Sequence, residues 1–146
     1  MKSLKIWFWC VGIFYLLLTC LNIGILFLQP ESLSTHLPEK YNLIPEAVNS
    51  FADAWLVFIF ELGVLGAFCL VAARNPVKNV IMAWVIIFAE AFRGIAADLI
   101  WIFRGYSATN YAVFIVIHAI IIVTGYIFIR KAKTVALVPE LSAKTN

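Results

Sequence analysis

Five side chains in this sequence carry ionisable groups from within apolar runs: Glu61, Glu90, Arg93, Asp98 and His118. Tyr15, Thr19 and Asn22 lie in a further apolar run and can add hydrogen bonds. A charged group in hydrocarbon costs at least about 2.5–3.5 kcal/mol on insertion scales, and such groups commonly mark relays, counter-ions or ligand sites. Carboxylates beside a histidine and an arginine can pass a proton, balance a bound cation or fix helices in register. Glu90 and Arg93 are three apart, so on a helix they can pair. Asp98 is five from Arg93 and needs a partner from another element, for which His118 is the candidate. Glu61 has no partner on its own helix face, which makes it the stronger functional marker. Fully ionised, the three carboxylates outnumber Arg93 even with a protonated His118. One of them is therefore expected to hold a proton, or a bound cation balances it.

Each of these residues also has a plain structural reading. A buried Glu-Arg-Asp-His network can simply hold a small bundle in one register. The Tyr15, Thr19, Asn22 stripe reads first as glue between helices, and Gly63, Gly66 and Ala67 as packing residues. Other chemistries are excluded more firmly. The two histidines, His36 and His118, are too few for a di-iron site and unmatched in depth for haem. Cys10, Cys20 and Cys69 form no C-x-x-C pair, so no metal spacing or thiol redox motif is present. No phosphate-binding glycine motif or nucleophile elbow occurs. No metal and no cofactor are expected. The net charge of +3, from 11 Lys+Arg and 8 Asp+Glu, is too small and scattered for nucleic acid.

The elements that must position these groups follow from composition. The chain has 146 residues, 64% hydrophobic and 13% charged, with mean hydropathy +0.97. Soluble domains are roughly 45–50% apolar and about 25% charged, and a chain of this size cannot hide such an excess from water. The expectation is an all-α integral membrane bundle of four transmembrane helices in a single domain, residues 1–146. The spans are placed at 6–28, 54–73, 80–103 and 111–129, each near the roughly 20 residues needed to cross hydrocarbon. The first run is too long for a cleaved signal peptide and is kept as a helix.

Lys2, Lys5, Arg74, Lys78, Arg130, Lys131, Lys133 and Lys144 alternate with the spans, against only Lys40 and Arg104 on the other side. This bias places both termini, with the 130–146 tail, in the cytoplasm. The long 29–53 loop then faces out. Pro45 can open a helix ahead of the second span. Trp7, Trp9, Trp55, Trp101, Tyr106 and Tyr111 fall near span ends, as in an aromatic belt.

At about 100° per residue, Glu90, Arg93, Gly94, Ala97, Asp98 and Trp101 share one face of the third span, opposite Phe88, Phe92, Ile95 and Leu99. Glu61 and His118 each lie roughly 12 Å from the outer end of their spans. The polar stripes are thus expected to converge in the outer half of the bundle. The candidate ligand-binding cluster is Glu61, Glu90, Arg93, Asp98, His118, Trp101, Asn22 and Tyr15.

The stretch Glu90-Ala91-Phe92-Arg93-Gly94-Ile95-Ala96-Ala97-Asp98-Leu99-Ile100-Trp101, with Leu4-Lys5-Ile6-Trp7-Phe8-Trp9 and Phe14-Tyr15-Leu16-Leu17, resembles the BphX-like family. These are small four-helix bacterial membrane proteins, some encoded beside genes for breakdown of biphenyl and related aromatics. The resemblance implies a bacterial inner membrane location and an accessory role near hydrophobic compounds, and it carries over no functional residue. The layout is also analogous to that of emopamil-binding sterol isomerases, without a shared signature.

Three functions compete. The first is a binding or accessory protein for a hydrophobic or cationic amphiphilic small molecule. The second is a cofactor-free isomerase using Glu61 or Glu90 as proton shuttle. The third is a proton-coupled transporter or channel subunit, which four helices would serve best as a homo-oligomer. The expected partners are the lipid bilayer, a hydrophobic small molecule and a second copy of the chain.

Overall fold

Prolines and one glycine punctuate the chain. The computed structural model describes residues 2–144, with side chains as far as Ala132. Helix α1 (Lys2–Leu28) is followed at Pro30 by a 3-10 segment, Pro30–His36. Pro45 opens helix α2 (Pro45–Ala72); its missing N–H is one that a first helical turn leaves unpaired in any case. The third rod is helix α3 (Val80–Ala89), a π-helical turn (Glu90–Ala96) and helix α4 (Ala97–Phe103). Gly105 then takes φ 87, a conformation open to glycine without a Cβ clash. The chain reverses there into helix α5 (Ala108–Lys144).

Four stretches are long and apolar enough to cross a membrane: Lys2–Leu28, Pro45–Ala72, Val80–Phe103 and Ala108–Ala132. The third agrees with the sequence expectation at both ends and the first at its Leu28 end, while the second and fourth helices run beyond the expected spans. The second helix begins at Pro45, ahead of the span and as the proline there predicts, and the fourth stays helical to Lys144 through the stretch read as a tail. Hydropathy marks where apolar surroundings would stop. A helix stops where proline, glycine or a lost hydrogen bond makes it stop, and long polar side chains such as Lys, Arg, Glu and Gln lose little freedom in a helix and do not end it.

α1 is the central element, with α2 on one side and α5 on the other. The α1–α2 crossing is built on two glycines. A Cβ on Gly66 would lie 3.1 Å from the Gly12 carbonyl oxygen, and one on Gly12 would lie 3.0 Å from that of Gly66. Their backbones meet because neither carries a side chain, the small-residue contact that helices use where no hydrophobic force drives them together. Thr19 adds a hydrogen bond to the Ile59 carbonyl at 3.3 Å. On the other side Trp7 lies against Gly125, and its Nε1 donates to Thr124 Oγ1 at 3.1 Å. Trp7 is therefore a core residue, 4% exposed, and not part of an interfacial belt.

The outward faces are almost wholly apolar. Ile6, Leu17, Val57, Phe60, Phe92 and Val113 are all exposed. Such a continuous apolar exterior far exceeds the patches that soluble monomers tolerate.

Gly66→Val is expected to lower the thermal midpoint in detergent micelles, by about 1–3 kcal/mol of overpacking. Gly24, whose added Cβ meets nothing within 4 Å, provides the contrast. Gly24→Ala is expected to stabilise by up to about 1 kcal/mol through helix propensity alone.

Candidate functional site

Glu90 is the hub of the buried polar groups. It opens the π-turn and is 1% exposed. Its Oε1 accepts a short hydrogen bond from the Tyr15 hydroxyl on α1. The guanidinium of Arg93 lies 3.7 Å from the same oxygen. Oε2 faces His118 Nδ1 on α5 at 2.5 Å. On the other edge of the imidazole, His118 Nε2 lies 3.5 Å from Asp98 Oδ2. One histidine thus stands between two carboxylates of the third rod. Both pairings expected from the sequence, Glu90 with Arg93 and Asp98 with His118, are present.

The π-turn explains how one ring reaches both acids. In an α-helix eight residues make about 2.2 turns, which leaves Glu90 and Asp98 roughly 80° apart. Here the Ala97 N–H reaches the Phe92 carbonyl, five residues back. A turn of this kind takes up an extra residue, so the eight residues come to about two turns and the carboxylates align. Gly94 lies midway between them. A Cβ there would sit 2.6 Å from His118 Cγ, so the imidazole rests directly on the glycine backbone. A regular α-helix is what the 90–96 stretch predicts on its own, and nothing in Glu90-Ala91-Phe92-Arg93 signals the departure.

Glu61 does not join this group. It is exposed on the outer face of α2. The inner face is set by Ile59, Leu62, Gly66 and Cys69; at about 100° per residue, Glu61 points roughly 140° away from Gly66. The expected excess of buried negative charge disappears with it. Glu90 and Asp98 face Arg93 and His118. An imidazolium carries an N–H on each nitrogen, and as an imidazolium His118 would present one to Glu90 and the other toward Asp98. In that state the quartet carries two positive and two negative charges.

Asn22 is also separate from the quartet. Its Nδ2 donates to the Leu18 carbonyl at 2.8 Å, and its Oδ1 accepts from Trp55 Nε1 at 3.0 Å, tying α1 to α2. Trp101 is half-buried among rings, 6.2 Å from Trp55 and 5.2 Å from Tyr111 between centroids. Phe58 was not singled out by the sequence. Arg93 places its guanidinium 4.8 Å from the Phe58 ring centroid, a cation–π contact that no residue-type pattern marks in an aromatic-rich chain. His36 lies half-buried at the end of the Pro30–His36 segment, where burial lowers its imidazole below the usual range. Among the described residues, no group of three His, Cys, Asp or Glu side chains is placed to hold a metal ion.

Two buried side-chain atoms among the described residues lack a hydrogen-bond partner, Arg93 Nη1 and Asp98 Oδ2. The His118–Asp98 contact is therefore an ion pair without hydrogen-bond geometry. These open positions belong to the charged row itself, one a donor and the other an acceptor.

Such a chain, with a buried ionic quartet among its helices, belongs to the class of small all-helical proteins whose four helices are long and apolar enough to cross a membrane. It is a member of the BphX-like family, whose sequence model matches residues 1–134. No curated protein and no solved structure matches it.

Glu90→Leu is expected to destabilise the protein by about 3–5 kcal/mol, since it leaves buried charge unpaired on Arg93 and His118. The double change Glu90→Leu, His118→Leu should cost less than the sum of the two single changes, because both remove the same Glu90–His118 contact. Thermal unfolding of the four members of this cycle in detergent provides the measurement.

Proposed function

We propose that the protein is a multi-pass membrane protein of the bacterial cytoplasmic membrane that binds the polar head of a small apolar molecule at the open polar atoms of the third rod, Arg93 Nη1 and Asp98 Oδ2. Both termini lie in the cytoplasm and the 29–53 loop outside, as the distribution of basic residues favours. The single observation that carries the binding reading is the pair of unspent positions, Arg93 Nη1 and Asp98 Oδ2. Buried polar atoms are nearly always satisfied, and the exceptions call for a water, a ligand or a catalytic role.

The chemistry of the ligand follows from those positions. Arg93 needs an acceptor and Asp98 a donor. A hydroxyl group provides both. The balanced quartet offers no net negative charge to recruit a cation, so a neutral hydroxyl-bearing molecule fits better than a cationic amphiphile. Phe58 beside Arg93 and the Trp55, Trp101 and Tyr111 rings form the nearby apolar surface. Glu90 has both oxygens engaged. It is held as an acceptor rather than poised as a free base, which favours binding over isomerase chemistry.

Two measurements test this. In detergent, apolar alcohols should raise the thermal midpoint while hydrocarbons of the same shape should not. A ligand at 100 times its Kd contributes about 2.7 kcal/mol, and Asp98→Asn should reduce that selectivity. Equal stabilisation by alcohols and hydrocarbons would sink the reading. For orientation, an export-dependent phosphatase inserted after Lys40 should be active, and one inserted after Asn79 should be silent. The reverse pattern would overturn the topology.

A further inference from the structure

Glu61 is left over once the quartet is closed. Among the described residues it has no hydrogen-bond or ion-pair partner. Counted from Ala72 at about 1.5 Å per residue, it lies roughly 16 Å along α2, near the middle of a hydrocarbon layer about 30 Å thick. A carboxyl that faces acyl chains at that depth is the most expensive placement available to it. The outward faces of the other candidate spans have no counterpart at mid-depth. The corresponding stripe on α5, with Val113, Val116, Ile120 and Val123, is exposed and wholly apolar.

The residues around Glu61 form a seam. Ala54, Val57, Glu61, Val64, Phe68 and Val71 are all exposed, and they follow one another in alternating steps of three and four. That is the a and d pattern of a helix packed along a second helix, with one polar residue at a central a position, a device that fixes register in paired helices. Outward stripes on other helices have similar spacing and suit lipid. The carboxyl is what sets α2 apart.

We propose that this face of α2 is the interface with a second copy of the chain, in a parallel dimer whose two-fold axis passes beside Glu61. The inference rests on the single-orientation membrane reading given above. Copies with one orientation in one bilayer are related by an axis along the membrane normal, and residues at equal depth then meet across it. Glu61 of one copy therefore faces Glu61 of the other. A carboxyl in its acid form carries a donor and acceptors on one group, so two of them satisfy each other without a further partner. A lone Lys or Arg at this position would repel its own copy. α2 packs chiefly on α1 and keeps this face free, so docking requires no rearrangement of the bundle.

The test uses the full chain with Cys10→Ser, Cys20→Ser and Cys69→Ala, reconstituted in phosphatidylcholine–phosphatidylglycerol vesicles. Thermal unfolding first establishes that each variant is folded. Under oxidative cross-linking, Val57→Cys and Val64→Cys should give disulfide dimers, while Val116→Cys on α5 should remain monomeric. In a dilution series read by energy transfer between labelled copies, Glu61→Gln should keep the dimer, because an amide also carries donor and acceptor. Glu61→Leu should weaken it roughly 3- to 30-fold, the range of polar contacts between membrane helices. Equal cross-linking at all three positions, or none at any, would overturn the dimer, and undiminished association of Glu61→Leu would overturn the placement of its axis beside Glu61; either result leaves the orientation standing on its reporter result. Cross-links between Ala54→Cys and Phe68→Cys would instead mean antiparallel copies, and would sink the single orientation together with this arrangement.

Discussion

The imidazole of His118, held between Glu90 and Asp98, is the contact on which the rest of this structure depends. It requires two carboxylates stacked on one face of the third rod, and a regular α-helix does not stack residues eight apart. The π-turn supplies that alignment. The ring must also come close to the rod, and only a glycine at position 94 leaves the room. Once Glu90 is committed to His118, its other oxygen is buried as well and draws Tyr15 from α1 and Arg93 from the next turn. Three helical elements are thereby locked to one carboxylate. Each part makes sense only with the others present, because any single group left without its partner would be an uncompensated charge or dipole in a dry interior.

The molecule divides its packing between two modes. α1 and α2 approach through glycine backbones, and dispersion at close range does the work. The third rod and α5 meet through charge. α1 takes part in both, through Gly12 on one side and Tyr15 and Trp7 on the other. α2 is held to the rest mainly by apolar contact, with the Asn22–Trp55 and Thr19–Ile59 hydrogen bonds and the Arg93–Phe58 cation–π contact as its few polar ties. The polar energy of the fold is concentrated where helices carry opposite charges, and the element that adds no charged group to that network is the one with a face to spare.

Much of this was legible in the sequence, for reasons that differ by residue. The number and position of the apolar helices follow from hydropathy, which is a strong signal over about 20 residues. The pairing of Asp98 with His118 was legible because apolar runs contain few polar groups, and depth limits which of them can meet. Glu61 was misjudged because depth is easy to count and azimuth is not. A single charge among apolar residues forms no stripe, and the direction it faces is fixed by Leu62 and Gly66 packing elsewhere. The π-turn was illegible because glycine at 94 and alanines around it are compatible with either helix type, and tertiary contact decides between them. Trp7 near a chain end reads as an interfacial aromatic until a glycine on another helix opens a place for it in the core.

The quartet has more parts than a purely structural role would need. Fixing the register of α5 against the third rod would take one hydrogen bond between helices, and well-packed apolar side chains of similar volume are often as stabilising as a buried ion pair, or more so. A network kept for stability alone would also close, since a partly satisfied buried network is worse than an apolar core. This one includes a π-turn, a departure from regular helix that recurs at functional sites, and leaves Arg93 Nη1 and Asp98 Oδ2 open. Both open atoms lie on the third rod rather than on α5. A partner that engaged them would therefore bear on the same turn that aligns Glu90 with Asp98, and would couple its own binding to the grip on His118. Stability alone explains why both Glu90 oxygens are engaged. It does not explain the open Arg93 Nη1 and Asp98 Oδ2, and those two atoms are the physical argument for the binding proposal.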